Sequence, residues 1–317
     1  MPAECADAAF APPSPAIVRV SALQVRHSGD AAALLRFGTA GEMATLPQVT
    51  LYCTPLAGPT GPEAWFDTGT DAALRVVSIE VREADGDIEA AAAEAYRRLL
   101  AQVRPSSHPY MVRVWNYLDA INAGSGDEER YRRFCVGRAA AVDAMFNDPP
   151  PAATAIGNTL ASGVVQVVAL CATTPPLALE NPRQTPAWRY PRDYGPVPPG
   201  FSRGALVGVG AQTRLLASGT ASIVGHVSQH VGDAAAQARE SLANLDVLLQ
   251  EGSRRSGLDF ALTRHEALRV YLRDAADLAA VQAALAARLP LSQVWFLQGD
   301  VCRRELLVEL EGVFAPG

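Results

Sequence analysis

The chain has 317 residues, enough for one large or two ordinary globular domains with a substantial core. Its net charge of −6 argues against a surface for nucleic acid or for an anionic membrane. Its longest apolar runs are far too short to span a bilayer. The first 16 residues are acidic and interrupted by prolines, so they are not typical of a signal peptide, and we expect a poorly ordered lead-in.

The cysteine and lysine content restricts the chemistry further. The five cysteines are widely spread and form no CxxC pair, which predicts a reducing, cytoplasmic compartment without a disulfide framework or a structural zinc site. All 27 basic residues are arginine, so a Schiff-base lysine, pyridoxal phosphate chemistry and a P-loop lysine are excluded. An anionic ligand must therefore be bound by arginine, backbone N–H groups or hydroxyls, and the planar guanidinium suits a carboxylate.

The first half of the chain is predicted to alternate strands and helices. Two short strands, at Ile17–Val25 and Thr50–Thr54, precede a stronger one at Leu74–Val81 that is rich in β-branched residues. Asp87 is expected to cap a helix with the sequence IEAAAAEAYRRLLAQV, and Pro105 stands just beyond its end. The next predicted elements are a strand at His108–Trp115 and a helix at Asp127–Phe146.

The second half repeats this alternation after a strand at Leu160–Cys171 and a long proline-rich loop at Thr173–Gly200. A loop of this length in a compact domain is usually functional or disordered, and its Trp and Tyr residues argue against disorder. A clear amphipathic pattern predicts a helix at Ser228–Gln250, ended by Gly252. The other predicted elements are strands at Ala205–Gly208, Arg214–Ser218, Phe260–Leu272, Gln293–Leu297 and Glu305–Leu310, and a helix at Ala275–Arg288.

This order of elements predicts an α+β fold with mixed sheets packed against helices. The PPPAAT turn, near residues 150–160, is expected to separate an N-terminal α/β domain, residues 1–155, from a C-terminal domain, residues 156–317.

The segment Arg113–Gly157 combines aromatic, amide and guanidinium groups at helix-compatible spacing. Tyr131 and Arg138 stand two helical turns apart, so both project from one face, about 10 Å from each other. A phenol and a guanidinium placed in this way could bridge the two ends of a small dianion. The alternative is a helix packed on a sheet, with the tyrosine buried and the arginine in water.

Glu309 lies in the tract RELLVELEG, where a strand would place Glu305, Glu309 and Glu311 on one face and the apolar residues on the other. One interpretation is a solvated face. The other is a carboxyl group in a pocket, where burial would raise its pKa and make it a proton donor or acceptor near neutral pH. Cys302 precedes Glu309 by seven residues, and a buried, inert thiol is its default interpretation.

The glycine-punctuated segment Ser218–His226 is predicted to run into a helix, where its N–H groups could bind an anion. It lacks the GK[ST] ending of a P-loop. His226 and His230 are four residues apart, but without a third ligand or an HExxH pattern no metal site is predicted.

Taken together, these tracts resemble the chorismatase family. The matching pieces are RVWNYLDAIN, ERYRRFCVGR, PAATAIG, PAWRYPRDYG, SGTASIVGH and DVCRRELLVELEG, which follow one another from Arg113 to Gly312. The C-terminal half also resembles RidA/YjgF-type domains, which have a chorismate-mutase-like sandwich fold. The strand Gln293–Leu297 lacks the arginine expected of the imine deaminases in that superfamily.

The resemblance implies an enzyme that removes pyruvate from chorismate without a metal or other cofactor, acting as a monomer or a trimer. Branches of the family form a dihydrodiol by hydrolysis, 3-hydroxybenzoate, or both 3- and 4-hydroxybenzoate. The resemblance places the catalytic glutamate at Glu309 and suggests carboxylate ligands and two product-determining positions. The ligands are Tyr131, Arg138, Tyr194 and Arg203, and the product-determining residues are Gly219 and Cys302, both of which match the hydroxybenzoate-forming branches.

Three alternatives remain at this stage: a hydrolytic chorismatase, a RidA-like imine hydrolase, and a non-catalytic module that binds aromatic acids. The sequence does not determine the product ratio or the pathway, and both pigment biosynthesis and supply of a ubiquinone precursor fit a hydroxybenzoate synthase.

Overall fold

The computed structural model describes residues 74–143, 149–158, 162–292 and 294–317, with only the backbone of Val76. Before residue 74 it describes the backbone of five short strands, β1 to β5: Ala22–Gln24, Arg26–His27, Arg36–Gly38, Thr50–Leu51 and Thr54–Ala57. The predicted disorder of residues 1–16 and most of the predicted strand Ile17–Val25 lie outside the described residues.

The first sheet has four strands, in the order β6-β9-β7-β8. They are β6 Leu74–Arg82, β7 Tyr110–Asp119, β8 Ala152–Asn158 and β9 Val164–Ala172. β9 runs antiparallel to both β6 and β7, whereas β7 and β8 pair in parallel. The sequence did not predict β8, because its residues are mostly small and follow three prolines that are typical of a turn.

Two helices, α1 Ile88–Val103 and α2 Arg130–Ala141, cover the outer face of this sheet. Asp87 caps α1 as predicted, since its side chain accepts a hydrogen bond from the Ala90 N–H at 3.0 Å. A 3₁₀ turn at Gly126–Glu128 precedes α2, so the helix begins three residues later than predicted.

The second sheet has seven strands, in the order β10-β11-β12-β17-β15-β16-β5. These are β10 Leu177–Leu179, β11 Gly204–Val207, β12 Arg214–Ala221, β15 Phe260–Leu272, β16 Val294–Gln298 and β17 Val308–Pro316, with β5 at the edge. Two further strands, β13 Ile223–Val224 and β14 Val227–Ser228, form a small hairpin. The helices α3 Ala234–Ser256 and α4 Leu278–Ala286 pack on the outer face.

Two predictions at the start and end of α3 are wrong. The segment Ser218–His226 does not run into the helix but forms the end of β12 and the hairpin, and α3 begins only after Asp233, whose side chain accepts from the Ala236 N–H. Gly257, with φ of 73°, ends the helix in place of the predicted Gly252. Gly252 lies within the helix, where a Cβ would come to 2.3 Å from Leu215 Cδ1, so it permits close packing on the sheet.

The inner faces of the two sheets pack against each other. One apolar cluster contains Trp115, Tyr117 and Val168 from the first sheet together with Tyr271 and Leu297 from the second. The layers therefore follow the order helix, sheet, sheet, helix, and the predicted α+β class is confirmed. The domain division at residues 155 and 156 stays a prediction, and the first sheet continues through it to the end of β9.

Candidate active site

A cavity of about 330 Å³ lies between α2, β8, β12, β17 and the proline-rich loop, within the usual size range of a small-molecule site. Its wall contains every site residue that the sequence suggested: Tyr131, Arg138, Tyr194, Arg203, Gly219, Cys302 and Glu309. These residues come from five separate parts of the chain. The structure brings them together, and their individual roles stay predictions.

Glu309 is the carboxyl group in this wall. Its neighbours Val308 and Leu310 point into the core beneath α3, so the alternation of β17 turns Glu309 toward the cavity. It is only 4% exposed, and the interpretation of this strand face as solvated is wrong. Burial, reinforced by the negative charge of Glu311, raises the pKa of Glu309 to about 8 against the opposing effect of Arg113 and Arg203. The group is therefore mostly protonated at neutral pH.

Glu311 lies two residues further along the same face of β17, but its carboxyl group is surrounded by hydrogen-bond donors. It is completely buried and accepts hydrogen bonds from Tyr271 Oη at 2.9 Å, Trp115 Nε1 at 3.2 Å and Thr154 Oγ1 at 2.5 Å. Arg113 at 2.5 Å and Arg269 at 3.1 Å form ion pairs with it. These five donors match an ionised carboxylate, which keeps a fixed negative charge close behind Glu309.

Gly219 lies directly beside the Glu309 carboxyl group. A Cβ at this position would lie 2.0 Å from Glu309 Oε1 and 3.1 Å from Thr154 Oγ1. The Gly219 N–H donates to Thr154 Oγ1 at 2.8 Å, so Thr154 connects this part of β12 to the Glu311 network. Only glycine fits here without displacing Glu309.

Tyr131 and Arg138 both face the cavity from α2, as their spacing predicted. Arg138 is 7% exposed, so the alternative of an arginine in water is wrong. Its guanidinium donates to the Gly200 carbonyl at 2.5 Å and lies 5.6 Å from the centre of the Tyr96 ring. Burial raises the pKa of Tyr131 well above its usual value, so its phenol is a neutral donor at every pH of interest.

Tyr194 in the proline-rich loop and Arg203, just beyond the end of that loop, line the same cavity. The loop is ordered by two 3₁₀ turns, Ala187–Arg189 and Arg192–Tyr194, and by backbone hydrogen bonds to Gly225 of the hairpin. Arg203, which is 3% exposed, donates to the Thr185 carbonyl at 2.9 Å and to Tyr190 Oη at 2.7 Å. The loop therefore holds a guanidinium group in one orientation at the cavity wall.

Cys302 contacts the same wall. Burial, with a further contribution from the negative charge of Glu309, raises the pKa of its thiol to about 12. The thiol is therefore protonated at neutral pH. It can shape the cavity or act as a weak polar contact, but it lacks the thiolate character of a nucleophile.

Several cavity residues were not predicted from the sequence: Thr154, Tyr190, Phe201 and Arg303. Thr154 lies on the strand that the sequence missed, and Arg303 stands in the DVCRRE tract, where only Cys302 was singled out. Trp115 is buried between the sheets. Within the described part of the chain, no three His, Cys, Asp or Glu residues are grouped as metal ligands, and no helix is long and apolar enough to cross a membrane.

The fold and the cavity define a class of protein: an α+β enzyme that holds an uncharged carboxylic acid among arginines and tyrosines, suited to a small anionic substrate. Residues 57–171 match the family model described as chorismatase FkbO/Hyg5-like, N-terminal. A chorismatase from Streptomyces rapamycinicus is 41% identical over 239 residues, which are 73% of this chain and 71% of that protein. The chain therefore belongs to the chorismatase family.

Two further comparisons support this membership. A 3-hydroxybenzoate synthase from Streptomyces hygroscopicus is 35% identical over 232 residues, which are 69% of this chain and 67% of that protein. The crystal structure of a chorismatase superposes with a TM-score of 0.75 and 29% identity, covering 94% of this chain and 93% of that one. The YjgF gene product from E. coli aligns with 44% of this chain, with a TM-score of 0.32.

Proposed function

We propose that the protein releases pyruvate from chorismate and forms 3-hydroxybenzoate, with or without 4-hydroxybenzoate. The named relatives support an enzyme that acts on chorismate. The proposed chemistry rests on the Glu309 carboxyl group, which is buried in the wall of an arginine-lined cavity and has a pKa of about 8. An acid with this pKa retains its proton at neutral pH and still gives it up readily.

The reaction begins with transfer of the Glu309 proton to the methylene carbon of the enolpyruvyl group. The enol ether becomes an oxocarbenium ion, and the carboxylate left on Glu309 stabilises that cation at short range. Pyruvate then leaves with the ether oxygen, which breaks the C3–O bond of the ring. Direct loss of the C4 proton gives 4-hydroxybenzoate, whereas attack of the C4 hydroxyl oxygen on C3, with loss of the hydroxyl proton, gives an arene oxide that opens to 3-hydroxybenzoate. In either case the Glu309 carboxylate can accept the proton that is lost. Pyruvate and hydroxybenzoate together contain all atoms of chorismate, whereas the hydrolytic reaction takes up a water molecule.

The substrate is a dianion, and the cavity holds guanidinium groups on two sides. Arg138 with Tyr131 approaches from α2, and Arg203 with Tyr194 approaches from the proline-rich loop. We assign one carboxylate of chorismate to each pair, since a guanidinium and a phenol can each donate to a carboxylate. Such an arrangement would present the enolpyruvyl group to Glu309 in a fixed orientation.

Product analysis tests this proposal. The purified protein is incubated with chorismate, pyruvate is quantified, and the aromatic products are separated by chromatography against 3-hydroxybenzoate, 4-hydroxybenzoate and dihydrodiol standards. We expect pyruvate and hydroxybenzoate in equal amounts. Dihydrodiol as the only product would move the chain to the hydrolytic branch, and a lack of pyruvate would refute the proposed activity altogether.

The pH dependence of the reaction is a second expected result. Because Glu309 must be protonated in the free enzyme, kcat/KM should fall above about pH 8, the pKa of this group. The substrate carboxylates ionise far below this range, so they do not produce this decrease. In Glu311→Gln the decrease should begin at lower pH, because the negative charge that raises the pKa of Glu309 is gone. If kcat/KM of Glu311→Gln falls at the same pH as that of the wild type, the electrostatic role of Glu311 is contradicted.

A further inference from the structure

Arg303 lines the cavity, but the proposed reaction gives it no role. Its guanidinium carbon lies 4.0 Å from the centre of the Tyr194 ring and 5.1 Å from that of Tyr190, so the group is held between two aromatic walls. Its Nη1 donates to the His226 carbonyl at 2.8 Å and to Ser228 Oγ at 3.1 Å. Arg303 is thereby fixed against the hairpin that borders the cavity.

The backbone that carries Arg303 is also fixed. Arg273 donates to the carbonyls of Val301 and Arg303 at 3.0 Å and forms an ion pair with Asp300 at 2.6 Å. The turn before β17 is therefore held at several points, and the guanidinium has little freedom to move toward another partner. A preorganised donor of this kind binds a ligand without a large ordering cost.

One nitrogen of this group has been left without a protein partner. Among the described residues, Nη2 of Arg303 is buried and makes no hydrogen bond, and its guanidinium forms no ion pair with a carboxylate. The acidic neighbour Glu305 instead accepts a hydrogen bond from Ser228 Oγ at 2.7 Å. A buried donor left unsatisfied is costly, and a ligand that accepts its hydrogen bond removes this cost.

The surrounding charge points to an anionic ligand. Arg203 lies 5.7 Å from the same Tyr190 ring that Arg303 approaches to 5.1 Å, and its Nε is likewise buried without a partner among the described residues. Two guanidinium groups thus flank one ring at the cavity wall. A carboxylate bound beside this ring could accept hydrogen bonds from both unpartnered nitrogens and would reduce the repulsion between the two charges.

We propose that Arg303 is a further substrate ligand, whose Nη2 binds the same carboxylate of the dianion as Arg203 and Tyr194. This inference rests on the proposed function and extends it. Three guanidinium groups in one cavity wall, those of Arg138, Arg203 and Arg303, favour a substrate with two carboxylates over one with a single charge.

Steady-state kinetics with chorismate test this role. Arg303→Met keeps the aliphatic stem between the rings and removes the donors, so KM should rise about ten- to hundredfold, the usual effect of losing a charged hydrogen bond. kcat should change by less than about threefold, because the contact exists in both the bound substrate and the transition state. Arg303→Lys retains the charge but lacks the planar fork, and it should give an intermediate KM.

Two control variants separate ligand binding from a structural role. Arg254→Met removes the same charge from an exposed residue of α3, which pairs with Glu251 and is not among the cavity residues. Ser222→Ala removes a hydrogen bond to the Gln229 carbonyl beside the same hairpin but no contact of Arg303. Both should retain a KM within about twofold of the wild type.

Failure of the inference about Arg303 can be distinguished from failure of the proposed function, because the wild-type protein must first release pyruvate. With an active wild type, the inference is overturned if Arg303→Met has an unaltered KM, or if Ser222→Ala, which disturbs the hairpin without touching Arg303, reproduces its increase. Should Arg303→Met fold poorly, the Arg303→Lys variant decides alone, since a wild-type KM there would show that the planar fork binds nothing.

Discussion

Replacing Glu309 by glutamine is expected to abolish pyruvate release from chorismate. Glutamine has nearly the same shape and can still form hydrogen bonds, but it has no proton to transfer at neutral pH. General acid catalysis typically contributes a factor of about 10²–10⁴, so turnover should fall by at least about a hundredfold. Pyruvate release, followed in a continuous assay over pH 6 to 9, measures the loss.

The fold should survive this substitution because the native carboxyl group is already uncharged at neutral pH. Its pKa is raised to about 8 in the folded state from 4.5, so the unfolded chain binds fewer protons between these values. The stability that Glu309 contributes is therefore present below pH 4.5 and lost as pH rises through about 8. Glu309→Gln lacks this dependence, so its Tm should decrease less than that of the wild type between pH 5 and 8.

Glu305→Gln is the matched control for the Glu309 experiment. Glu305 stands four residues earlier in the same tract, is only partly buried and accepts a hydrogen bond from Ser228. Its replacement should leave turnover within a few-fold of the wild type. Near wild-type turnover in Glu309→Gln, with a normal Tm, would remove the glutamate from the proposed mechanism.

Glu309 and Glu311 show how two carboxyl groups on one face of a strand acquire different roles. Glu311 receives two arginines and three further donors, whereas Glu309 receives no hydrogen bond from the described residues. The first is thereby suited to the ionised form and the second to the protonated form. The negative charge of Glu311 in turn disfavours ionisation of Glu309 and so favours its protonated form.

Local patterns account for the elements that the sequence predicted well. The strand Phe260–Leu272 was predicted with both of its ends, and α1 was predicted from its cap at Asp87 to Val103. Both have a strong apolar period bounded by residues that cap or break structure. β8 has neither property: its seven residues are held by pairing with β7, a partner more than 30 residues away that no local signal identifies.

Part of the candidate site was predictable from the spacing of individual residues within one element. Tyr131 and Arg138 are related by helical spacing, and Glu309 by strand alternation, so their faces could be predicted from the chain alone. Their convergence on one cavity depends on how the two sheets pack, and only the family resemblance suggested it. Arg303 carried no such signal, because an arginine beside another arginine in a polar tract is typical of an exposed surface.

Gly219→Ala is the second substitution with a large expected effect. The new methyl group would lie 2.0 Å from Glu309 Oε1, far inside contact distance, so the carboxyl group must move. A shift of about 1 Å in a reacting group can reduce a rate about a hundredfold, and a loss of about ten- to hundredfold is expected here. In the family resemblance Gly219 matches the hydroxybenzoate-forming branches, so the remaining product should shift toward the dihydrodiol.

A double-mutant cycle with Glu309→Asp identifies the cause of this loss. Aspartate is one methylene shorter, so its carboxyl group is withdrawn from the position that the new methyl group would occupy. If the clash is responsible, Glu309→Asp should cost far less turnover in the Gly219→Ala background than in the wild type, because residues in contact do not act additively. Additive losses would mean that the two positions act separately. Unchanged turnover and product in Gly219→Ala alone would show that the cavity tolerates the methyl group and that Gly219 does not control the reaction.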